Sequence, residues 1–312
     1  MAHIYYQQHA HESQQDESVL DTLLRHGHGI DHGCRSGQCQ SCLMQVVEGE
    51  IPAKAQQGLS PQQKQLGYVL SCQCPSDAGL HVMPAEQPSA HYSVTVLGKQ
   101  QLSQQVLGLS LSRPFDYQAG QFINLHANDC TRSYSLASSP GQHQHLELQI
   151  KTLADGLLSP YLLEQLQVGD QITVTGPFGE CSYNPQAPEQ DLLLVGIGTG
   201  ASPLYGILRE ALSQQHQGHI DIVLGARQQQ DIYLHDYLSA LSQQYPQLSY
   251  HPCSQQDGED IYRYVTQQLN DLASKELFIC GADSFVQKMR KQCFLAGAAM
   301  NRIHCDRFTA AR

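Results

Sequence analysis

The sequence predicts three consecutive domains: an α+β unit over residues 1–86, an antiparallel β-barrel over 91–186, and an α/β unit with a parallel sheet over 190–312. Three observations predict this. Five of the eleven cysteines crowd between Cys34 and Cys74, among short strands and helices. From about Tyr92 the chain breaks into short strands separated by turn residues. From Asp191 onward apolar strand runs alternate with helical patterns, as a doubly wound parallel sheet requires. A chain of 312 residues is long enough for two or three domains with ordinary cores.

Composition bounds the function. Charged residues make up 15% of the chain and the net charge is −11, which argues against non-specific nucleic-acid binding, since that needs a basic face. The longest apolar run, around Leu192–Val195, falls far short of the about 20 residues of a membrane-spanning helix. Met1 to His11 shows no basic and apolar secretory pattern. The sequence therefore predicts a cytoplasmic protein whose cysteines are reduced and available for metal binding or catalysis rather than disulfides.

In the first unit, Tyr5-Tyr6 starts a strand, Ser18–Arg25 reads as an amphipathic helix, and Leu43–Val47 is a strand. Ser60-Pro61 opens a short helix as N-cap and first turn. Cys34, Cys39 and Cys42 are spaced x4 and x2, and Cys72 follows a long gap. A structural zinc site usually shows two tight cysteine pairs. The observed spacing instead fits plant-type [2Fe–2S] ligation: three thiolates on one loop embrace a small cluster and a fourth arrives from elsewhere. Gly33 and Gly37 permit close backbone approach. A buried or zinc-binding cysteine group is the alternative. Cys74 is assigned to packing, although it stands close enough to Cys72 to be mistaken for the fourth ligand.

The segments "GCRSGQCQSC", "VVEGEI", "LSPQQKQLGYVLSCQC" and "LHV" resemble the plant-type ferredoxin family over about residues 1–85, which implies a β-grasp fold and Cys34, Cys39, Cys42 and Cys72 as cluster ligands. Gln40 departs from the family, which usually has Gly or Ala there. Residues 83–90, with two prolines, read as a linker.

In the second unit His91–Leu97, Val106–Leu111 and Gln121–His126 are expected barrel strands. Arg132-Ser133-Tyr134-Ser135 could bind a phosphate and stack on a planar ring, or be an ordinary strand. With the "QAGQF" segment upstream, and "LQIK", "GLLSPYL", "VGD" and "GPFG" downstream, it resembles the ferredoxin–NADP+ reductase superfamily over about residues 92–312. The resemblance implies that Arg132 contacts a flavin phosphate, Tyr134 packs on the isoalloxazine and Ser135 lies near flavin N5, with Ser133 beside them. It also implies that the turn Gly156-Leu157-Leu158-Ser159 opens a helix whose N–H groups suit a pyrophosphate. That second phosphate site favours FAD over FMN. Lys151 stands where many relatives have Arg.

In the third unit, helices are expected at Pro203–Leu212, Tyr233–Leu241, Tyr262–Leu269 and Phe285–Phe294, with strands at Leu192–Val195, Ile220–Leu224 and Leu277–Ile279. Gly198-Thr199-Gly200 could let backbone approach a pyrophosphate at a helix start, or be a plain strand–turn–helix junction. By resemblance this is the superfamily's nucleotide loop. By the same resemblance Cys280-Gly281 lies beside the nicotinamide, and Asp306 and Phe308 belong to the acidic-x-Phe ending. Most relatives have Glu where this chain has Asp306. Arg227 falls where the adenine ribose would sit. The expected nucleotide is NADH, with NADPH the alternative.

Together the resemblance implies an NAD(P)H-dependent oxidoreductase passing electrons from NAD(P)H through FAD and a [2Fe–2S] cluster to an acceptor protein, such as an oxygenase component. Ser135 and Cys280 would orient hydride transfer, assisted by Asp306. A non-oxygenase acceptor (a deoxysugar dehydratase or a cytochrome) and a non-catalytic redox sensor are the alternatives. Residues 1–90 hold nine acids and four bases, so an acidic face steering a basic acceptor is expected, or else a merely solvated surface. His26, His28 and His32 are read as surface or loop residues, and His143 and His145 as exposed beside a hairpin turn.

Overall fold

A computed structural model describes residues 3–85, 90–128, 130–153, 156 and 158–308. Three sheets follow one another along the chain. The first contains β1 (His3–Tyr6), β2 (His9–Glu12), β3 (Leu43–Glu48), β4 (Tyr68–Leu70) and β5 (His81–Pro84), in the order β2-β1-β5-β3-β4. Only the β1–β5 pair is parallel. Helix α1 (Val19–Arg25) lays Val19, Leu20 and Leu23 into the core beneath this sheet. Its start is fixed by a reciprocal cap between Ser18 and Asp21. Helix α2 (Pro61–Gln65) begins the same way, with Ser60 and Gln63. Of the expected linker, Glu86, Gln87, Pro88 and Ser89 lie outside the described residues.

The second sheet is wholly antiparallel: β6 (His91–Ser103), β7 (Val106–Ser112), β8 (Phe122–Ala127), β9 (Cys130–Ser135), β10 (His145–Lys151) and β11 (Gln171–Phe178), ordered β10-β7-β6-β11-β8-β9. An antiparallel bridge between Leu136 and Leu148 ties the end of β9 to β10 and so joins the two edges. Closure of this kind is what makes the sheet a barrel. Val94, Val96, Leu109, Leu125, Leu148 and Val174 alternate inward to fill it.

The third sheet is wholly parallel: β12 (Leu192–Ile197), β13 (Ile220–Ala226), β14 (Leu248–Ser254), β15 (Glu276–Ala282) and β16 (Ile303–Phe308), ordered β14-β13-β12-β15-β16. Helices α3 (Ala201–Ser213), α4 (His235–Gln244), α5 (Ile261–Arg263) and α6 (Asp283–Leu295) make the crossovers. The helix expected over Tyr262–Leu269 is only the short α5 followed by a wide turn over Tyr264–Gln268. Here the π-type hydrogen bonding interrupts the ideal repeat. The strand order reverses between β12 and β15, and ligands of open parallel sheets bind in the crevice at such a point.

Helix α3 fastens the third sheet to the barrel. A Cβ on Gly206 would stand 2.7 Å from the Leu136 carbonyl oxygen, so glycine is required for the helix to lie on the backbone that continues β9. Buried Glu210 accepts hydrogen bonds from Ser139 Oγ (2.6 Å) and the Gly141 amide (3.0 Å). Arg209 pairs with Glu147 at 2.8 Å and also meets His143. His143 is therefore half-buried and partnered, contrary to the exposed position expected for it, because α3 covers the hairpin. His145 is also half-buried. His28 is half-buried against Tyr6 and His11, His32 is half-buried, and His26 is exposed. Among the described residues, no helix is long and apolar enough to cross a membrane.

Candidate active site and cluster centre

Cys34, Cys39, Cys42 and Cys72 assemble as two pairs. Cys39 and Cys34 share a thiol hydrogen bond, and so do Cys42 and Cys72. Among the described residues no three His, Cys, Asp or Glu side chains converge on a single ion position. Two pairs side by side suit the two irons of a binuclear cluster better than one tetrahedral zinc. The amides of Ser36, Gln38 and Cys39 point at Cys34 Sγ from 3.2–3.4 Å. The Cys39 thiol, then the Ser36 side chain and the Cys39 and Ser36 amides, pull the Cys34 thiol down to about 5, while the same pairing and burial push the Cys39 thiol up. Arg35 Nε is buried beside the pair without a protein acceptor, as a donor awaiting a sulfide would be. The four thiols thus fit the cluster. Cys74 is fully buried in the core of the first sheet, where desolvation pushes its thiol up to about 12.

The Gln40 departure has a physical reading. Its φ is +53°, in the left-handed region, where a Cβ costs about 1–2 kcal/mol. Hydrogen bonds with Gly58 (3.4 Å) and Gln63 (3.0 Å) offset that strain.

The cluster loop lies against the barrel. Cys34 and Cys39 pack on Phe122 and Phe178. Asn124 donates to the Cys39 carbonyl (3.3 Å) and Ser41 Oγ (2.8 Å). Ser133 donates to Asn124 Oδ1 at 2.7 Å, and a Cβ on Gly33 would touch Ser133 Oγ. The Ser133 hydroxyl therefore faces the cluster loop. Strand alternation sends Ser133 and Ser135 to one face and Arg132 and Tyr134 to the other.

Arg132 is half-buried and has no carboxylate partner among the described residues. Its Nη1 donates only to the Thr131 carbonyl, at 2.7 Å. An unneutralised guanidinium of this kind fits a phosphate. Tyr134 flanks the barrel core, and burial raises its hydroxyl well above the usual range. Leu158 is buried in the barrel core. Ser159 is buried, with a long 3.5 Å contact to the Lys151 carbonyl. Leu157 lies outside the described residues. A short helix opens after Gly156 as expected, from Ser159, and widens over Tyr161–Gln165, so its dipole is small.

A cleft of about 1040 Å³ opens at the carboxyl ends of β12, β13 and β15. Lys151, Gly198, Thr199, Arg227, Glu259 and Phe308 are among the residues lining it. Gly198 has φ +54° and faces open space, a cradle for a ligand that a side chain would crowd. Gly200 serves the opposite purpose. A Cβ there would lie 2.2 Å from the Cys280 carbonyl oxygen, so glycine lets the nucleotide loop rest on Cys280-Gly281. Gly281 has φ +141°, which glycine adopts without strain. Gly200→Ala is expected to push the loop off β15 and raise KM for the nucleotide about tenfold or more. Steady-state kinetics checks this, and an unchanged KM would contradict it.

Ser135 Oγ donates to Asp306 Oδ2 at 2.6 Å across the boundary between barrel and parallel sheet. Asp306 sits opposite Cys280 in the β15–β16 ladder. Burial raises its carboxyl to about 6, the Ser135 hydrogen bond opposing the shift. Cys280 is fully buried, its thiol 3.9 Å from Cys181 Sγ, and desolvation keeps it protonated. The Asp306–Ser135 contact is the feature that sequence reading missed, since it joins residues 171 apart in the chain.

The fold and site define a class, an NAD(P)H-dependent oxidoreductase built from an iron–sulfur, a flavin and a nicotinamide module in series. Residues 4–77 match the 2Fe-2S iron-sulfur cluster binding domain, 93–183 the oxidoreductase FAD-binding domain and 194–291 the oxidoreductase NAD-binding domain. The chain belongs to the ferredoxin–NADP+ reductase superfamily, among those members with an N-terminal 2Fe-2S domain. It is 27% identical to the ferredoxin–NAD(P)+ reductase component of the naphthalene 1,2-dioxygenase/salicylate 5-hydroxylase systems of a Ralstonia species, over 93% of each chain. It is 26% identical to the phenol hydroxylase P5 protein of Acinetobacter pittii, over 96% of this chain and 92% of that one. Among solved structures, an Amycolatopsis cytochrome P450 reductase shares the fold with a TM-score of 0.68 at 22% identity, over 99% of each chain. The ferredoxin reductase of carbazole 1,9a-dioxygenase does so at 0.66 and 22%, over 99% of this chain and 98% of that one.

Proposed function

We propose that this chain takes hydride from NADH and delivers single electrons to a separate oxygenase component, acting in the cytoplasm through three units at 1–86, 91–186 and 190–312. FAD, when bound, accepts the pair, and the cluster held by Cys34, Cys39, Cys42 and Cys72 carries one electron at a time. Arg132 neutralises flavin phosphate, Tyr134 covers the ring system, and Lys151 and the backbone of Gly156–Ser159 take the remaining phosphate contacts. Gly198, Thr199 and Gly200 seat the nucleotide's pyrophosphate. Cys280, Gly281 and Phe308 bound the nicotinamide, and Ser135 with Asp306 orients it.

One observation carries the reading: the two ends of the electron path meet across one strand pair. Cys34 and Cys39 pack on Phe122. Phe122 pairs with Ser135 in the β8–β9 ladder, and Ser135 holds Asp306. On this reading, hydride chemistry and cluster are separated by little more than a strand. The relatives' names favour an oxygenase acceptor over a dehydratase or cytochrome, and a sensor needs no hydride site. Holoprotein mixed with NADH is expected to lose flavin absorption, then cluster absorption, and to reduce cytochrome c. Failure to pass electrons from NADH to cytochrome c would sink the proposal.

The choice of NADH rests on charge. Arg227 shares its cleft with Glu259, whose Oε2 is held at 2.6 Å by the Ser254 amide, and with Asp231. Two carboxylates repel a 2′-phosphate that one guanidinium would attract. Glu259→Gln is expected to raise kcat/KM for NADPH relative to NADH about fivefold. An unchanged ratio would remove Glu259 from the explanation.

A further inference from the structure

We propose that the groove between the cluster-binding loop and helix α6 is a docking site for an acidic electron-acceptor protein. This rests on the reading above that electrons leave through the cluster to a separate protein. The groove encloses about 750 Å³, and its walls come from all three units: Gln38 from the cluster loop, Glu180 and Cys181 after the barrel, and α6 with β16. Gln38 is one residue from Cys39, and its amide points at Cys34 Sγ. A protein seated here would lie next to the cluster.

The chemistry of the walls selects the partner. Helix α6 carries Lys288, Arg290 and Lys291 against a single acid, Asp283. Gln287, Arg290, Lys291 and Phe294 recur at the helical spacing of one face, all exposed and all lining the groove. Arg290 and Lys291 make no ion pair among the described residues. Arg307 adds a third cation and reaches only Asp283, at 3.5 Å. Glu180 is the single carboxylate of the lining. Phe294 and Met300 give the groove an apolar rim, 50% and 42% exposed. An apolar patch flanked by Arg290, Lys291 and Arg307 fits a partner with a carboxylate-rimmed apolar surface over its own redox centre.

Residues 32–47 contain no Asp or Glu, while Glu17 and Asp21 are engaged by Arg25 and Arg35. Asp31 stands at the edge of this loop, lining a recess with Cys39, Gln40 and Ser41. The overall charge of −11 does not forbid an acidic partner, because screening over about 8 Å at physiological salt leaves the local patch to decide.

The double variant R290E/K291E tests this in the holoprotein, with acidic cytochrome b5 and basic cytochrome c as probe acceptors and ferricyanide as a flavin-level control. Wild-type reduction of cytochrome b5 is expected to slow steeply with salt. Charge reversal is expected to lower that rate about tenfold at low salt and less than twofold at about 1 M, where screening acts within about 3 Å. Cytochrome c reduction should be unchanged or faster, and ferricyanide reduction unchanged. Phe294→Ser should lower the cytochrome b5 rate at every salt concentration. A cytochrome b5 rate insensitive to the charge reversal overturns the docking site and leaves the electron path intact. Wild-type protein that reduces ferricyanide but neither cytochrome overturns the electron path itself, and the docking site with it.

Discussion

Cys72→Ala is expected to abolish NADH-dependent cytochrome c reduction while leaving ferricyanide reduction within about twofold of wild type. Cys72 is paired with Cys42, and the second thiol pair, Cys34 and Cys39, stands alongside. Removing one member leaves one iron position with a single protein thiolate. Changes in groups that merely support metal ligands cost about 10–100-fold in affinity or activity, so loss of a ligand is expected to exceed 100-fold in cluster-dependent turnover. The flavin and nicotinamide sites proposed above draw on β9, β10, the Gly156–Ser159 turn, β12, β13, β15 and β16 and include no part of this loop, which is why hydride acceptance should survive. Cys74→Ala separates ligand from packing residue. Cys74 is buried among Ile4, Val19, Val69 and Leu80, so its loss should lower stability by about 1–2 kcal/mol with the cluster spectrum intact. Visible absorption after iron and sulfide reconstitution distinguishes the two variants. Cluster loss in Cys74→Ala with retention in Cys72→Ala would reverse the ligand assignment.

How much of this was legible in the sequence follows from the range of the interactions. The x4, x2 spacing of Cys34, Cys39 and Cys42 is local, because one loop must wrap one small object, and it reads directly. Strand–helix alternation after Asp191 is likewise local in period. The direction of the Ser133 hydroxyl was not legible, because a motif names residues without saying which face of the strand they use. Period-two alternation sends Ser133 to Asn124 and the cluster loop, and Arg132 to the other side. His143 became half-buried through Arg209 of a helix 66 residues further on, a contact that no local pattern encodes. The groove beside Gln38 has the same character: its basic face is periodic within α6, but only the packing of three units brings it to the cluster.

Asp306→Asn is expected to slow flavin reduction by NADH about 10–100-fold at pH 7, and to stabilise the fold at the same pH. The first effect follows from charge. Hydride loss leaves positive charge developing on the nicotinamide ring, and Asp306 lies opposite Cys280 at the proposed ring site. An ionised carboxylate there lowers the barrier, and it also fixes the Ser135 hydroxyl through the 2.6 Å hydrogen bond. With its carboxyl raised to about 6, wild-type activity should fall as the pH drops through 6, whereas the asparagine variant should show no step there. The second effect has the opposite sign. The folded carboxyl titrates about two units above its unfolded value of 3.8, so its favourable contribution is complete below 3.8 and is lost as the pH rises through 6. At pH 8 the ionised, buried group costs on the order of 3 kcal/mol, by about 1.4 kcal/mol per unit. Asparagine escapes that cost, so the variant should unfold at higher denaturant than wild type at pH 8, with the difference closing below pH 4. A buried acid that destabilises the protein at the pH where it works is an exchange of stability for chemistry. Equal unfolding midpoints at pH 8, or a step near pH 6 that survives in the variant, would show that another group carries the titration.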